Sequence, residues 1–295
     1  MSIDIDLTAA TAFVTTHGRL LDRHRLRVAL GEDAGDAVLR AVDAYRNEDG
    51  GYGWGLEPDF RAPESQPGGA LHAFEAMAEA APRRSEHAVE LCAWLATISR
   101  PDGGMPFGLP IADATGTAPF WADADATTSS LHITAAVTAM AQRVARHDPA
   151  VAAHPWLAGA TRYCLDAITA AELPMHALAL KFSLDFLDTV AEHEPAAAAQ
   201  LSRLGAQIPP EGRLHVEGGV EDEFMRPLDF APEPQRPVRD LFAPDVVAVE
   251  LERLATRQQD DGGWPEEFNA YSPMAALEWR GYLTVHAVKV LRAGS

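Results

Sequence analysis

The chain is poor in cysteine, lysine and long apolar runs. It has two cysteines, Cys92 and Cys164, in 295 residues. Each sits in an apolar helical stretch, with no second cysteine or metal-type spacing beside it. A disulfide framework is thereby excluded, and buried free thiols and a reducing cytoplasm are expected. Lysine occurs only at Lys181 and Lys289. Basic side chains number 24 against 43 acidic ones, for a formal net charge of −19. No basic footprint for nucleic acid is present, so no nucleic-acid partner is expected. No strongly basic amphipathic face points to anionic membranes. No run of 18 apolar residues occurs, so no membrane span is expected. Met1-Ser2-Ile3-Asp4 opens without a basic n-region or an apolar stretch, so no leader is expected. Nucleophile elbow, P-loop and dinucleotide fingerprint are all missing.

What is present is ordinary in bulk: 47% hydrophobic and 23% charged residues, enough for a sizeable core. Apolar residues recur at helical spacing in 7–24, 36–46, 68–81, 86–99, 127–145, 154–171, 175–192, 196–206, 244–259 and 273–292. Ala and Leu dominate these segments, as helix propensity favours. Strand alternation is scarce. The expected class is all-α.

Punctuation recurs between the helices. Asn47-Glu48-Asp49-Gly50-Gly51-Tyr52, Arg100-Pro101-Asp102-Gly103-Gly104-Met105 and Gln259-Asp260-Asp261-Gly262-Gly263-Trp264 share one design. Glycine can close a helix in the left-handed conformation, and the aspartate can bond the turn backbone. Asp49 and Asp102 stand 53 residues apart, and Asp261 lies three such intervals further on. A period of about 50 suits a repeated helical hairpin. In each unit a helix with polar positions ends at the turn, a loop follows, and a helix richer in Ala, Leu and Phe begins. Outer helices alternating with covered inner helices produce that asymmetry. The expectation is one α/α-toroid domain over 1–295, a barrel of about five to six helical hairpins with Asp49, Asp102 and Asp261 at equivalent turns.

At this point the residues resemble a family. Gln258-Gln259-Asp260-Asp261-Gly262-Gly263-Trp264 is similar to the Gln-Trp repeat of squalene-hopene cyclases and related terpenoid cyclases, whose toroid is shared by protein prenyltransferase β subunits. Trp121-Ala122-Asp123-Ala124-Asp125-Ala126-Thr127 resembles the Asp-x-Asp-Asp-Thr of class II terpene cyclases. By that resemblance Asp125 takes the place of the acid that protonates an alkene or epoxide, and Asp123 supports it. Ala126 stands where the family has a further Asp. The alternative for Asp125 is helix capping. The resemblance implies an isoprenoid substrate and no cofactor, with magnesium only for a diphosphate substrate. The zinc of the prenyltransferases is not expected, because neither cysteine lies in a late repeat.

Residues whose character departs from their surroundings complete the candidate site. Trp54, Glu57, Asp59 and Arg61 crowd one long loop, where variety suits a binding site. Phe120 and Trp121 precede the aspartates. Lys181 interrupts an apolar inner helix, with Asp185 one turn on as an alternative ion-pair partner. Arg226 and Asp229 lie in a proline-rich loop. Glu278, Trp279, Arg280 and Tyr282 begin the last inner helix, where Trp279 and Tyr282 share a face. His72, His132 and His176 each fall on an inner helix and read individually as core histidines. The loops 47–67, 100–126, 209–243 and 260–272 are expected at one end of the ring. Two other functions fit the same residues. One is a carbohydrate-active α/α-barrel pairing Glu57 or Asp59 with Asp125 or Glu278. The other is a non-catalytic toroid that binds a hydrophobic ligand.

Overall fold

A computed structural model describes residues 5–294; Met1–Asp4, read above for a leader, lie outside it. Among the described residues the chain forms fourteen helices. They are α1 (Leu7–His17), α2 (Leu20–Ala29), α3 (Gly35–Val42), α4 (Pro67–Glu79), α5 (Ala88–Ile98), α6 (Pro119–Ala122) and α7 (Leu131–Ala145). The second half holds α8 (Pro149–Ala152), α9 (Pro155–Ala170), α10 (Ala177–Val190), α11 (Pro195–Gly205), α12 (Pro227–Phe230), α13 (Pro244–Thr256) and α14 (Pro273–Ala293). Proline opens most of the later helices, where its missing N–H costs nothing. Among the described residues the one sheet is a two-stranded antiparallel pair, β1 (Leu214–His215) with β2 (Phe224–Met225).

The packing repeats six times. Outer helices α3, α5, α9, α11 and α13 each rest on the preceding inner helix: α2, α4, α7, α10 and α12 respectively. The sixth outer helix, α1, rests on α14, the last inner one, and the ring is closed. The fold is an all-α toroid, as the periodicity implies.

The three glycine turns are one structure. Gly50, Gly103 and Gly262 have φ of 89°, 93° and 91°, a region in which side chains are strained. Asp49, Asp102 and Asp261 each accept a bond through Oδ1 from the N–H two residues on, at 2.9, 3.0 and 3.0 Å. A Cβ on Gly50 would approach the Glu90 carbonyl of α5, and one on Gly103 the Gly159 carbonyl of α9. One on Gly262 would stand 2.2 Å from the Ala9 carbonyl of α1. Each turn is thus pressed against the next outer helix around the ring, and the last is pressed against the first. Gln258 seals that joint by bonding the Asp6 backbone N–H (2.9 Å) and carbonyl (2.8 Å). The aromatic after the turn packs backwards, with Trp264 Nε1 donating to the Leu254 carbonyl of α13 at 2.7 Å.

Three local expectations need correction. The 7–24 segment is two helices. Gly18 leaves the helix with extended backbone, and a Cβ there would meet the Val14 carbonyl at 2.8 Å, so the chain turns from outer to inner ring at that point. The 127–145 segment becomes helical only at Leu131, because Thr127 and Thr128 are held in a turn by Asp125. The fifth inner helix shrinks to the single turn α12, for which no long apolar run exists between 207 and 243. No helix of the described residues is long and apolar enough to cross a membrane.

Candidate functional site at the mouth and inner wall of the toroid

The long loops meet at one end of the ring, and Asp59 pins several of them. Its carbonyl accepts from Ala118 N–H at 2.8 Å. Its Oδ1 accepts from Tyr271 N–H at 3.0 Å, and its Oδ2 from the Trp279 indole at 2.8 Å. Gln66 and Leu109 exchange bonds of 3.1 and 2.8 Å between the first two loops. Arg61 bonds Thr117 Oγ1 through its backbone and pairs with Glu278 of α14 through its guanidinium. Arg226 pairs with Glu267 at 3.3 Å, joining the proline-rich loop to the last one. Asp59 is 4% exposed, and burial pushes its carboxyl above the ordinary value. The Tyr271 and Trp279 bonds pull the other way, and nearby Glu57 adds to the rise.

Below Asp59 an ion-paired chain runs down one wall. Glu57 Oε2 meets His72 Nε2 at 2.8 Å, and His72 Nδ1 meets Glu75 Oε2 at 3.2 Å. Glu75 Oε1 takes Arg25 at 2.8 Å and the Tyr282 hydroxyl at 2.9 Å. Arg25 bridges on to Glu79 at 2.6 Å, and Glu79 also receives Lys289. Burial disfavours the imidazolium of His72, but its two carboxylates outweigh it and raise the pKa to about 9. Glu75 is held well below its usual range, with burial opposed by Arg25 and His72. Over this chain lie rings: Trp279 and Tyr282 meet edge to face at 5.5 Å, Phe268 meets Trp279 at 5.2 Å, and His72 meets Tyr282 at 5.5 Å. Trp279 and Tyr282 therefore share one face of α14, as their spacing implies.

The structure thus brings together Glu57, Asp59, Arg61, Trp121, Glu278, Trp279 and Tyr282 at the mouth. Trp121 is buried against Phe60 and Phe107. Phe120 is half exposed beside it and touches Tyr271. Four residues go elsewhere. Arg280 turns to the outer side, pairing with Asp261 at 2.8 Å and covering Phe13. Trp54 is 57% exposed and donates to Asn47 at the first glycine turn, with an unusual φ of 57°. Asp123 and Asp125 are exposed. Asp125 accepts from Thr127 N–H and Oγ1 and from Thr128 Oγ1, and these bonds lower its pKa to about 2.

Lys181 does not pair with Asp185, which is taken by Arg143 of α7. It lies half-buried on the inner wall of α10. Asp229 anchors the α12 turn by accepting from Arg226 N–H at 2.8 Å, and burial raises its carboxyl. His72, Glu75 and Arg25 were not singled out together from the sequence. The available signal was the polar row His72, Glu75, Glu79 at helical spacing in an Ala- and Phe-rich helix. Among the described residues no group of three or more His, Cys, Asp or Glu side chains is placed to hold a metal ion.

No family model and no curated protein matches the chain. Solved structures do. A crystal structure of a protein from Actinoplanes aligns with 98% of this chain and 98% of its own, at 13% identity and a TM-score of 0.59. A variant of the type II terpene cyclase MstE from Scytonema, solved with its substrate geranylgeranyl dihydroxybenzoate, aligns with 96% of this chain and 87% of its own, at 13% identity and a TM-score of 0.52. At that identity the likeness establishes the fold class: an α/α-toroid similar to that of a type II terpene cyclase.

Proposed function

We propose that this chain is a single-domain enzyme of the type II terpene cyclase kind, with Asp59 rather than Asp125 as its acid. An alkene-protonating acid must hold its proton before it reacts. Asp125, exposed and triply hydrogen-bonded, is held as the anion. Asp59 is the better acid on the observation that carries this reading: a buried carboxyl with raised pKa, bonded to the indole that faces the toroid interior. Its proton passes to a terminal alkene carbon or epoxide oxygen. The cation that forms is captured by internal double bonds, and loss of a proton ends the reaction. Trp279, Tyr282 and Phe268 offer ring faces and edges to stabilise it. The reaction uses no cofactor, and magnesium enters only with a diphosphate substrate.

The experiment incubates the purified chain with squalene, geranylgeraniol and their terminal epoxides, with products read by mass spectrometry. Asp59→Asn is expected to stay folded and to lose turnover by about a hundredfold or more, whereas Asp125→Asn keeps it. Full activity of Asp59→Asn removes the acid proposed here. A second reading, a carbohydrate-active barrel, is favoured by the polar wall of Glu57, Glu75 and Glu79 below the mouth. Release of reducing ends from polysaccharide, with no conversion of any polyene, replaces the first reading by the second.

A further inference from the structure

The inner face of the ring also holds polar groups that have no protein partner among the described residues. Lys181 of α10 has Asp185 within one turn, but that carboxylate is taken by Arg143. Among the described residues no carboxylate lies within ion-pair distance of Lys181, and its recorded contact is with the Phe182 ring at 5.1 Å. Among the described residues, His132 of α7 and His286 of α14 have no hydrogen-bond partner, and both are partly exposed. Both are held neutral. Burial is the largest cause, with Lys181 contributing to each, and their pKa values fall to about 3 and about 4.

A continuous run of rings leads from the mouth to this cluster. Tyr271 meets Phe120 at 5.5 Å, Phe120 meets Trp121 at 5.8 Å, and Trp121 stacks on Phe107 at 4.2 Å. Phe107 meets His132 at 5.2 Å, and His132 stacks on Phe182 at 5.1 Å, beside Lys181. The ladder offers ring faces and edges to an unsaturated or planar body and ends at the His132 imidazole and the Lys181 ammonium.

We propose that Lys181, with His132, forms a subsite for the carboxylate of a monoanionic ligand whose body lies along the Trp121–Phe107–His132–Phe182 ladder. The donors match: an ammonium has three N–H groups and a neutral imidazole one. The charge also matches. One lysine balances one carboxylate, whereas a phosphate group carries up to two negative charges beside the acidic Asp229. This inference deepens the cyclase reading by naming the substrate's polar end, but it is tested by binding and does not need turnover.

Two matched pairs separate the subsite from the reading it rests on: farnesoic acid with farnesol, and galacturonic acid with galactose. Titration calorimetry on the full chain is expected to show the acid of one pair binding about tenfold to a hundredfold tighter than its neutral partner. Farnesyl diphosphate is expected to bind more weakly than farnesoic acid. Lys181→Met should abolish the preference for the acid, and Lys181→Arg should keep most of it. Preference within the sugar pair alone retains the subsite and replaces the cyclase reading. Equal or absent binding of acid and neutral partner in both pairs, tighter binding of the diphosphate, or a preference that survives Lys181→Met overturns the subsite.

Discussion

Two sides of the ring's inner face use similar residue types to opposite ends. On the α4 and α14 side, Glu57, His72, Glu75, Arg25, Glu79, Lys289 and Tyr282 form one connected chain in which each charge meets another. On the α7 and α10 side, Lys181 and His132 meet aromatic rings instead. Burying an unpaired charge is costly, so the first arrangement keeps the ring assembled. The second gives up that stabilisation and leaves donors open to something from outside. A saturated polar wall beside an unsaturated one distinguishes scaffold from ligand surface better than residue type does, since both walls contain histidine and lysine.

The sharpest way to break the comparison is to remove a partner from the saturated wall. Arg25 is 4% exposed and holds Glu75 and Glu79 together. Arg25→Met leaves two buried carboxylates facing each other with Lys289 as the remaining cation on Glu79. The expected loss is about 3–5 kcal/mol of unfolding free energy in urea titrations. A loss below about 1 kcal/mol would mean that this wall is no more committed to the fold than the other.

The same wall should show a pH signature. The His72 pKa is raised to about 9 from an ordinary 6.5 by Glu57 and Glu75. Its contribution is therefore complete below about pH 6.5 and is lost as pH rises through 9. A shift of that size corresponds to roughly 3 kcal/mol. Unfolding free energy should fall between pH 7 and pH 10 in the wild type, and this part of the slope should flatten in His72→Gln. An unchanged slope would show that His72 does not titrate between its two carboxylates.

The difference between the walls also explains what could be read from the sequence. The toroid was legible because its turns are local: an Asp-Gly-Gly triplet fixes its own backbone and needs only the next outer helix to press on it. The pairing of Trp279 with Tyr282 was legible for the same reason, since spacing alone puts them on one face. Partners drawn from distant segments were not legible. Glu57 lies 15 residues from His72, and Arg25 lies 54 from Glu79, so no window of sequence holds the pair. Lys181 illustrates the converse. Its local neighbour Asp185 suggested an ion pair, and Arg143 on another helix removed it. The role of Asp125 was not legible because two uses of an aspartate before a helix look alike in sequence, and its bonds to Thr127 and Thr128 appear only in space.

The smallest expected effect tests the unsaturated wall. Lys181 sits half-buried on α10 with no ion pair among the described residues, so replacing it removes a partly buried charge and no ion-pair partner. Its stem already packs near Phe182, and methionine of similar length can keep that contact. Removing an unpaired, partly buried cation is neutral or slightly stabilising when nothing is left behind it. Two small terms oppose that gain. Asp229 loses a cation that favours its ionised form, and its burial already pushes the carboxyl upward. The aromatic ladder also loses its terminal cation–ring contact, which is worth about 0.5–1 kcal/mol at accessible sites. These terms nearly cancel, so Lys181→Met should change the unfolding free energy by no more than about 0.5 kcal/mol, measured without ligand at pH 7. A fall of about 2 kcal/mol or more would reveal a partner for Lys181 within the fold, and the two walls would then differ in degree rather than in kind.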